Sequence, residues 1–261
     1  MEVVIVPDAD AAAEIVAGVI AGVLHARPAP VLGLATGSSP LASYRRLIAA
    51  HGRGELSFAR ASAVLLDEYV GLPPGHPEAY RAFICRELVD RVDLPRERLF
   101  GPDVLAADLA DACRRYDELI GDLGGVDVQL LGIGADGHVG FNEPGSSLAS
   151  RTRIKTLTRA TRADNARFFE NHEREVPRHV VTQGLGTILE ARHLLLVACG
   201  AAKAEPIARA VEGPLTAMCP ASVLQLHAHA TVVVDEPAAA GLKLADYYCE
   251  AYANKPRWQQ L

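Results

Sequence analysis

The chain has 261 residues, 49% hydrophobic and 22% charged, an ordinary globular composition that argues against disorder or a coiled coil. A formal charge of −6 offers no broad basic field, so neither nucleic acid nor an anionic membrane is expected as a partner. The five cysteines are scattered without C-x-x-C pairing, which points away from disulfides and zinc and toward reduced thiols in a cytoplasmic protein.

Val3-Val4-Ile5-Val6 predicts a first strand, and Asp8 or Asp10 can cap the helix that follows. No run reaches the roughly 20 apolar residues that span a bilayer. Residues 11–26 contain Glu14 and His25 and lack a basic leader, so they are expected to form a helix and not a signal peptide. A second strand, Val31-Leu32-Gly33-Leu34-Ala35, runs into Thr36-Gly37-Ser38-Ser39-Pro40 and a helix to about Ala50. Ala63-Val64-Leu65-Leu66 predicts a third strand that stops at Asp67-Glu68. A Gly- and Pro-rich loop over 71–77 precedes helices over 80–89 and 105–123. Residues 126–131 read as a strand entering a glycine-rich loop. A helix over 184–191, a strand over 193–199, a helix over 202–211, a strand over 231–234 and a terminal helix from about Ala238 complete the pattern.

Strands made of continuous apolar residues are buried on both faces, as in a parallel sheet covered by helices. The alternation of β and α predicts an α/β fold, a single doubly wound domain over 1–261 with a mostly parallel central sheet flanked by helices. Ligands in such sheets sit at the carboxyl ends of strands, which singles out three loops.

Thr36, Gly37, Ser38 and Ser39 form the first: glycine admits close approach of an anion, and hydroxyls and a helix N-terminus can hold it. The same residues also suit a serine-capped βα turn, and the Walker spacing and lysine are absent. The second loop, Asp67-Glu68, is either a general base with a neighbour or a helix-capping turn, with Asp67 the inward carboxylate. The third runs from Leu131 to Gly145 and sets His138 between Asp136 and Glu143 among glycines. Carboxylates beside an imidazole orient it and raise its pKa, which suits a proton shuttle. Metal binding by these three is conceivable on residue type alone, but the other histidines are not at ligand spacing, and no metal is expected.

Several long strings resemble one known family. They are Thr36 through Pro40, Leu66-Asp67-Glu68-Tyr69-Val70-Gly71-Leu72-Pro73, Leu131 through Gly145, Ser150 through Thr158, Asn165-Ala166-Arg167-Phe168-Phe169, Gly200-Ala201-Ala202-Lys203-Ala204, Val211-Glu212-Gly213 and Leu224-Gln225-Leu226-His227. Together they are similar to the glucosamine-6-phosphate deaminases (glucosamine/galactosamine-6-phosphate isomerases), a family that shares its fold with 6-phosphogluconolactonase. Val139-Gly140-Phe141-Asn142-Glu143-Pro144 favours the deaminase branch over the lactonase one.

The resemblance implies conversion of glucosamine 6-phosphate to fructose 6-phosphate and ammonia, without cofactor, by a cytoplasmic hydrolase of amino-sugar catabolism. It makes Asp67 the base between C2 and C1, and His138 the ring-opening group, with Asp136 and Glu143 setting its charge and orientation. It makes Thr36, Gly37, Ser38, Ser39, Arg167 and Lys203 the phosphate site. It also implies a homo-oligomer, a hexamer in some bacterial members, activated by N-acetylglucosamine 6-phosphate at Ser146, Ser147, Arg153 and Lys155, with Tyr116 nearby. A C-terminal tyrosine of that second pocket falls on Cys249. The alternatives are a lactonase, in which Asp67 and Glu143 would be idle, a deaminase for the galactosamine epimer, and a non-catalytic sugar-phosphate sensor. The retained carboxylates, and the lack of room for a helix-turn-helix before residues 1–7, weigh against the sensor.

Overall fold

The computed structural model describes residues 1–256 and 259. In chain order its elements are β1 (Glu2–Val6), α1 (Ala9–Ala26), β2 (Val31–Leu34), α2 (Leu41–Gly52), β3 (Ser62–Leu65), β4 (Asp67–Val70) and α3 (Tyr80–Glu87). There follow β5 (Leu99–Phe100), α4 (Leu109–Asp122), β6 (Val128–Leu131), β7 (Arg153–Thr156), α5 (Arg159–Asn165), β8 (His179–Thr182) and α6 (Leu185–Ile188). The last are β9 (Leu194–Ala198), α7 (Ala204–Val211), β10 (Ala230–Asp235), α8 (Glu236–Ala239) and α9 (Ala245–Ala253).

Seven strands form a parallel sheet in the order β1-β10-β9-β6-β2-β3-β5. Successive residues of each strand enter opposite layers of the core, because a strand has a side-chain period of two. Leu194, Leu196 and Ala198 of β9 join one apolar cluster, while Leu195 and Val197 join the other. This double burial is why the strands read as unbroken apolar runs. Helix α1 is long and apolar enough by composition to cross a membrane. It nevertheless turns Ala12, Val16, Val19 and Ile20 into the core and leaves Glu14 in solvent, packing on β10 and α2. Asp8 is its cap, accepting from the N–H groups of Asp10 at 3.0 Å and Ala11 at 2.8 Å.

Three further strands make a second, antiparallel sheet, β4-β8-β7, which the sequence pattern did not reveal. The chain leaves the parallel sheet after Leu65 and enters this ribbon at Asp67. The Leu65 carbonyl accepts from Tyr116 Oη at 2.7 Å and Gln183 Nε2 at 2.9 Å, and the Gln183 N–H donates to the Leu66 carbonyl at 2.9 Å. Asp67 is therefore a strand residue, paired with Thr182, and not a turn residue.

Other boundaries move for local reasons. The helix expected over 105–123 starts at Leu109, because Asp108 caps it by accepting from the Asp111 N–H at 2.9 Å. The strand expected from 126 starts at Val128, since the Asp127 side chain instead accepts from Val31 N at 2.9 Å and Arg27 Nε at 2.8 Å. The helix expected over 184–191 is only Leu185–Ile188. The terminal helix divides into α8 and α9, separated by Gly241, where a Cβ would lie 2.9 Å from the Ala204 carbonyl oxygen.

At the amino ends of β9 and β10, buried His193 stacks on His229 with ring centroids 3.7 Å apart and places Nε2 2.9 Å from Thr231 Oγ1. Burial, followed by the charges of His229, His227 and Lys255, pulls the His193 pKa down to about 4. An unfolded histidine titrates near ~6.5, so below that pH the unfolded chain takes up a proton the folded chain refuses. Stability is expected to be level above about pH 6.5 and to fall toward pH 4. Urea unfolding across this window checks it: His193→Gln should flatten the decline, and an unchanged decline would remove His193 as its source.

Candidate active site

The strand order turns between β2 and β6, so the loops after these two strands diverge and leave a crevice at their carboxyl ends. A cavity of about 450 Å³ lies there. It brings together Thr36, Gly37, Ser38, Ser39, Asp67, His138, Arg167 and Lys203. Asp136 stands just behind His138, whereas Glu143, Ser146, Ser147, Arg153 and Lys155 do not line the cavity.

The loop after β2 begins at Ala35, which is clamped by the buried Tyr44 of α2. Tyr44 Oη donates to the Ala35 carbonyl at 2.7 Å and accepts from the Ala35 N–H at 3.2 Å. Gly37 then takes φ +88°, a conformation that favours glycine, and the chain enters α2 at Leu41. The hydroxyls of Thr36, Ser38 and Ser39 and the start of a 12-residue helix thus border one end of the cavity. Lys203 arrives from the turn before α7 and donates from Nζ to the Ile133 carbonyl at 2.7 Å, which ties it to the neighbouring glycine loop. Arg167 is exposed, its guanidinium 4.8 Å from the centre of the Phe168 ring.

Asp67 and Glu68 are both buried, at 5% and 6% exposure, yet they have different surroundings because neighbours on a strand face opposite ways. Glu68 turns to α3, where its carboxylate accepts from the N–H groups of Tyr69 at 2.9 Å, Tyr80 at 2.9 Å and Arg81 at 2.8 Å. Asp67 turns to the cavity. Burial first, and then the adjacent Glu68 charge, pushes its carboxyl well above the usual carboxylate range, and among the described residues no hydrogen bond pulls it back. Such a carboxylate is a strong base for its type. Of the pair, Asp67 is the inward carboxylate, as expected, and Glu68 is the one that meets the start of a helix.

The third loop folds back tightly. Gly134 N donates to the His138 carbonyl at 2.9 Å, and Gly137 at φ +89° donates to the Gly134 carbonyl at 3.1 Å. Asp136 Oδ1 accepts from the His138 N–H at 3.1 Å and lies 2.6 Å from Nδ1. The hydrogen bond from His138 is the main reason the Asp136 carboxyl titrates below its ordinary value. With Nδ1–H committed to Asp136, Nε2 is the ring nitrogen left for a ligand. Glu143 departs from expectation. It does not join the imidazole but accepts from Thr161 Oγ1 and, at 3.5 Å, Thr158 Oγ1, because α5 lies over it. The three residues weighed as metal ligands therefore do not converge.

The sequence reading overlooked an aromatic wall. Tyr80 stacks on Phe141 at 6.0 Å, Tyr69 meets Tyr80 at 4.7 Å and Phe169 at 5.7 Å, and Asn165 Nδ2 donates to Tyr69 Oη at 3.0 Å. Tyr69 and Phe141 sit inside the strings that drew attention to Asp67 and His138, a signal that was available. Tyr80 carried none, since it looks like an ordinary first residue of a helix.

A buried base and a carboxylate-held imidazole facing one hydroxyl- and cation-bordered pocket, on a doubly wound sheet, define an acid–base enzyme. The family model for glucosamine-6-phosphate isomerases and 6-phosphogluconolactonase matches residues 8–233, and the chain belongs to that family. A glucosamine-6-phosphate deaminase of Streptomyces coelicolor is 58% identical over 259 residues, covering 99% of each chain. One of Beutenbergia cavernae is 59% identical over all 261 residues, covering 100% of each. A solved structure described as a monomeric glucosamine-6-phosphate deaminase superposes with a TM-score of 0.89 at 41% identity, over 92% of this chain and 100% of that one. The 6-phosphogluconolactonase of Trypanosoma cruzi, at TM-score 0.72 and 20% identity over 93% of this chain and 97% of that one, shares the fold. These names also correct one expectation: the relatives are deaminases in a family of isomerases, so hydrolase is not the class to which the chain is assigned.

His138 packs so closely on Gly134 that an added Cβ would lie 2.1 Å from Cε1, 2.2 Å from Nδ1 and 2.4 Å from Nε2. Gly134→Ala is expected to push the imidazole off Asp136 while leaving the fold intact, lowering kcat by roughly 10²-fold, the lower end of what a positioned acid–base group contributes. Steady-state kinetics beside a circular-dichroism melt checks this; unaltered kcat would show that His138 need not hold this position.

Proposed function

We propose that the chain is a glucosamine-6-phosphate deaminase, converting glucosamine 6-phosphate to fructose 6-phosphate and ammonia by acid–base catalysis with its own side chains. The observation that carries the reading is Asp67, a buried carboxylate made strongly basic and aimed into a cavity that also holds an Asp136-oriented imidazole.

The phosphate would lie among Thr36, Gly37, Ser38 and Ser39, with Lys203 beside it and Arg167 reaching over; guanidinium can grip such an oxyanion by two parallel bonds. Anchoring a group that does not react fixes which sugar carbon meets Asp67. His138 Nε2 moves the proton that frees the ring oxygen from C1, and the open chain carries an aldehyde at C1 and the amine at C2. Asp67 takes the C2 proton, now acidified by the neighbouring carbonyl, and the C–H electron pair forms the C1–C2 double bond of an enol. Return of a proton to C1 leaves C2 as an imine, and water replaces the nitrogen there, releasing ammonia and the ketose. Each proton leaves and returns through a side chain that lines the cavity or, for Asp136, supports one that does.

A second site for N-acetylglucosamine 6-phosphate belongs to the same proposal. Arg153 and Lys155 alternate with the exposed Ile154 on β7, so both point to one half-buried face, and the Ser146 hydroxyl is buried without a hydrogen-bond partner among the described residues. Ser147 is exposed on the adjoining turn, and Cys249 is exposed on α9 where the resemblance puts a tyrosine. A homo-oligomer, hexameric by resemblance, remains part of this reading, although one solved relative is described as monomeric. A cytoplasmic location, with no nucleic-acid or membrane partner, completes it.

Ammonia release from glucosamine 6-phosphate is expected for the purified protein and should fall by at least about 10²-fold in Asp67→Asn, the scale of a lost general base. Added N-acetylglucosamine 6-phosphate should shift the substrate curve to lower concentration. Binding of the substrate without any ammonia would instead favour a non-catalytic sensor.

A further inference from the structure

Glu68 is nine-tenths buried one residue from the base, and a charged group in that position requires a physical reason. Its partners are all donors: the main-chain N–H groups of Tyr69, Tyr80 and Arg81, each within 2.9 Å. Burial lifts the Glu68 carboxyl above its ordinary value, and the three converging N–H groups, with the Arg81 charge, work against that rise by favouring the ionised form. The same bonds hold the first turn of α3 to β4 and so set Tyr80 in the cavity wall. Asp67 has the opposite setting, burial without a donor. Burial raises both carboxyls, but Glu68 has three donors against it and Asp67 has none among the described residues, so the larger rise falls on Asp67.

We propose that Glu68 is a positioning residue of the reaction: its carboxylate, held by three main-chain N–H groups beside Asp67, is the acidic neighbour of that residue, and its bonds to α3 hold Tyr80 against the cavity. The inference rests on the reading of Asp67 as the base. The groups facing the pair fit it. Tyr69, Tyr80 and Tyr116 stand near Asp67 as neutral phenols whose own pKa values burial drives upward. Strand β8 opposes the pair with the uncharged Thr182 and Val181, and its one titratable residue, His179, is exposed and paired with Val70. His138 and Lys203 line the same cavity. Arg81 is the cation on the Glu68 side, and its guanidinium is engaged elsewhere, donating to the Leu99 carbonyl at 2.6 Å and the Arg96 carbonyl at 3.3 Å. A neutral amide at position 68 therefore removes the nearest negative charge from Asp67 at nearly constant volume.

The test is a carbon-13 NMR titration of the Asp67 carboxyl in the wild type and in Glu68→Gln, with the resonance assigned through Asp67→Asn, alongside kcat against pH. The Asp67 midpoint is expected to move down by on the order of one pH unit in Glu68→Gln, the scale of a close like charge. The plateau kcat should fall roughly tenfold, as a weaker base moves the proton more slowly, while KM and inhibition by inorganic phosphate stay within about twofold. A folded Glu68→Gln with an unmoved midpoint would overturn the inference, and so would a kcat loss matched by an equal loss of phosphate affinity. If the wild type released no ammonia, the functional reading would fail, yet the NMR midpoints would still decide whether Glu68 sets the basicity of Asp67.

Discussion

The site depends on one break in the backbone, the step from Leu65 to Asp67. Leu65 belongs to the core layer that contains Leu34 and Val16. Had β3 continued, the two-residue period of a strand would have sent Asp67 into that apolar layer, where an unpaired carboxylate is very costly. Tyr116 and Gln183 prevent this by capturing the Leu65 carbonyl, and the Gln183 N–H takes that of Leu66. The chain then pairs with β8 instead, and the same alternation now serves chemistry. Asp67 faces the cavity and Glu68 faces α3, so two adjacent carboxylates acquire distinct roles without any special loop.

The remaining acidic groups follow a consistent division. Glu68 is satisfied by main-chain N–H groups, Asp136 by His138, and Glu143 by threonine hydroxyls. Asp67 is buried and has no such relief among the described residues. Desolvation costs a charged carboxyl most where no donor compensates it, so basicity collects at one position. The cationic side of the site is equally economical. A chain with a net charge of −6 cannot attract an anion by its general field, and instead sets Lys203 and Arg167 against the hydroxyls of the loop after β2.

Much of this arrangement was legible beforehand because strand ends are local. Apolar runs located β2, β3 and β6, and the glycines, hydroxyls and carboxylates just beyond them mark the crevice that the switch in strand order creates. The antiparallel sheet was not legible. β7 reads Arg-Ile-Lys-Thr and lies at an edge, so its pattern is half polar and short. β8 follows a polar stretch, and only its pairing with β4 explains why His179–Thr182 is extended. The division of labour between Asp67 and Glu68 was posed correctly as two alternatives. It took the position of α3, a tertiary fact, to show that Glu68 meets a helix start while Asp67 faces the cavity. The partners of Glu143 were hidden for the same reason: nothing near it in sequence announces that Thr158 and Thr161 will fold over it.

That covering segment gives the site its last coupling. Residues 158–169 supply the hydroxyls that hold Glu143, the Asn165 amide that donates to Tyr69, and Arg167 and Phe169 at the cavity. Tyr69 follows Asp67 by two positions on β4 and packs on Tyr80, whose helix is fixed by Glu68. A displacement of Arg167 is therefore accommodated by the same short segment that touches the strand of Asp67 and the glycine loop. Packed side chains transmit such displacements because the interior has little free volume to absorb them. Arg167 and Asp67, at two places on the cavity, are thus joined through Asn165, Tyr69 and Tyr80, contacts that neither motif contains.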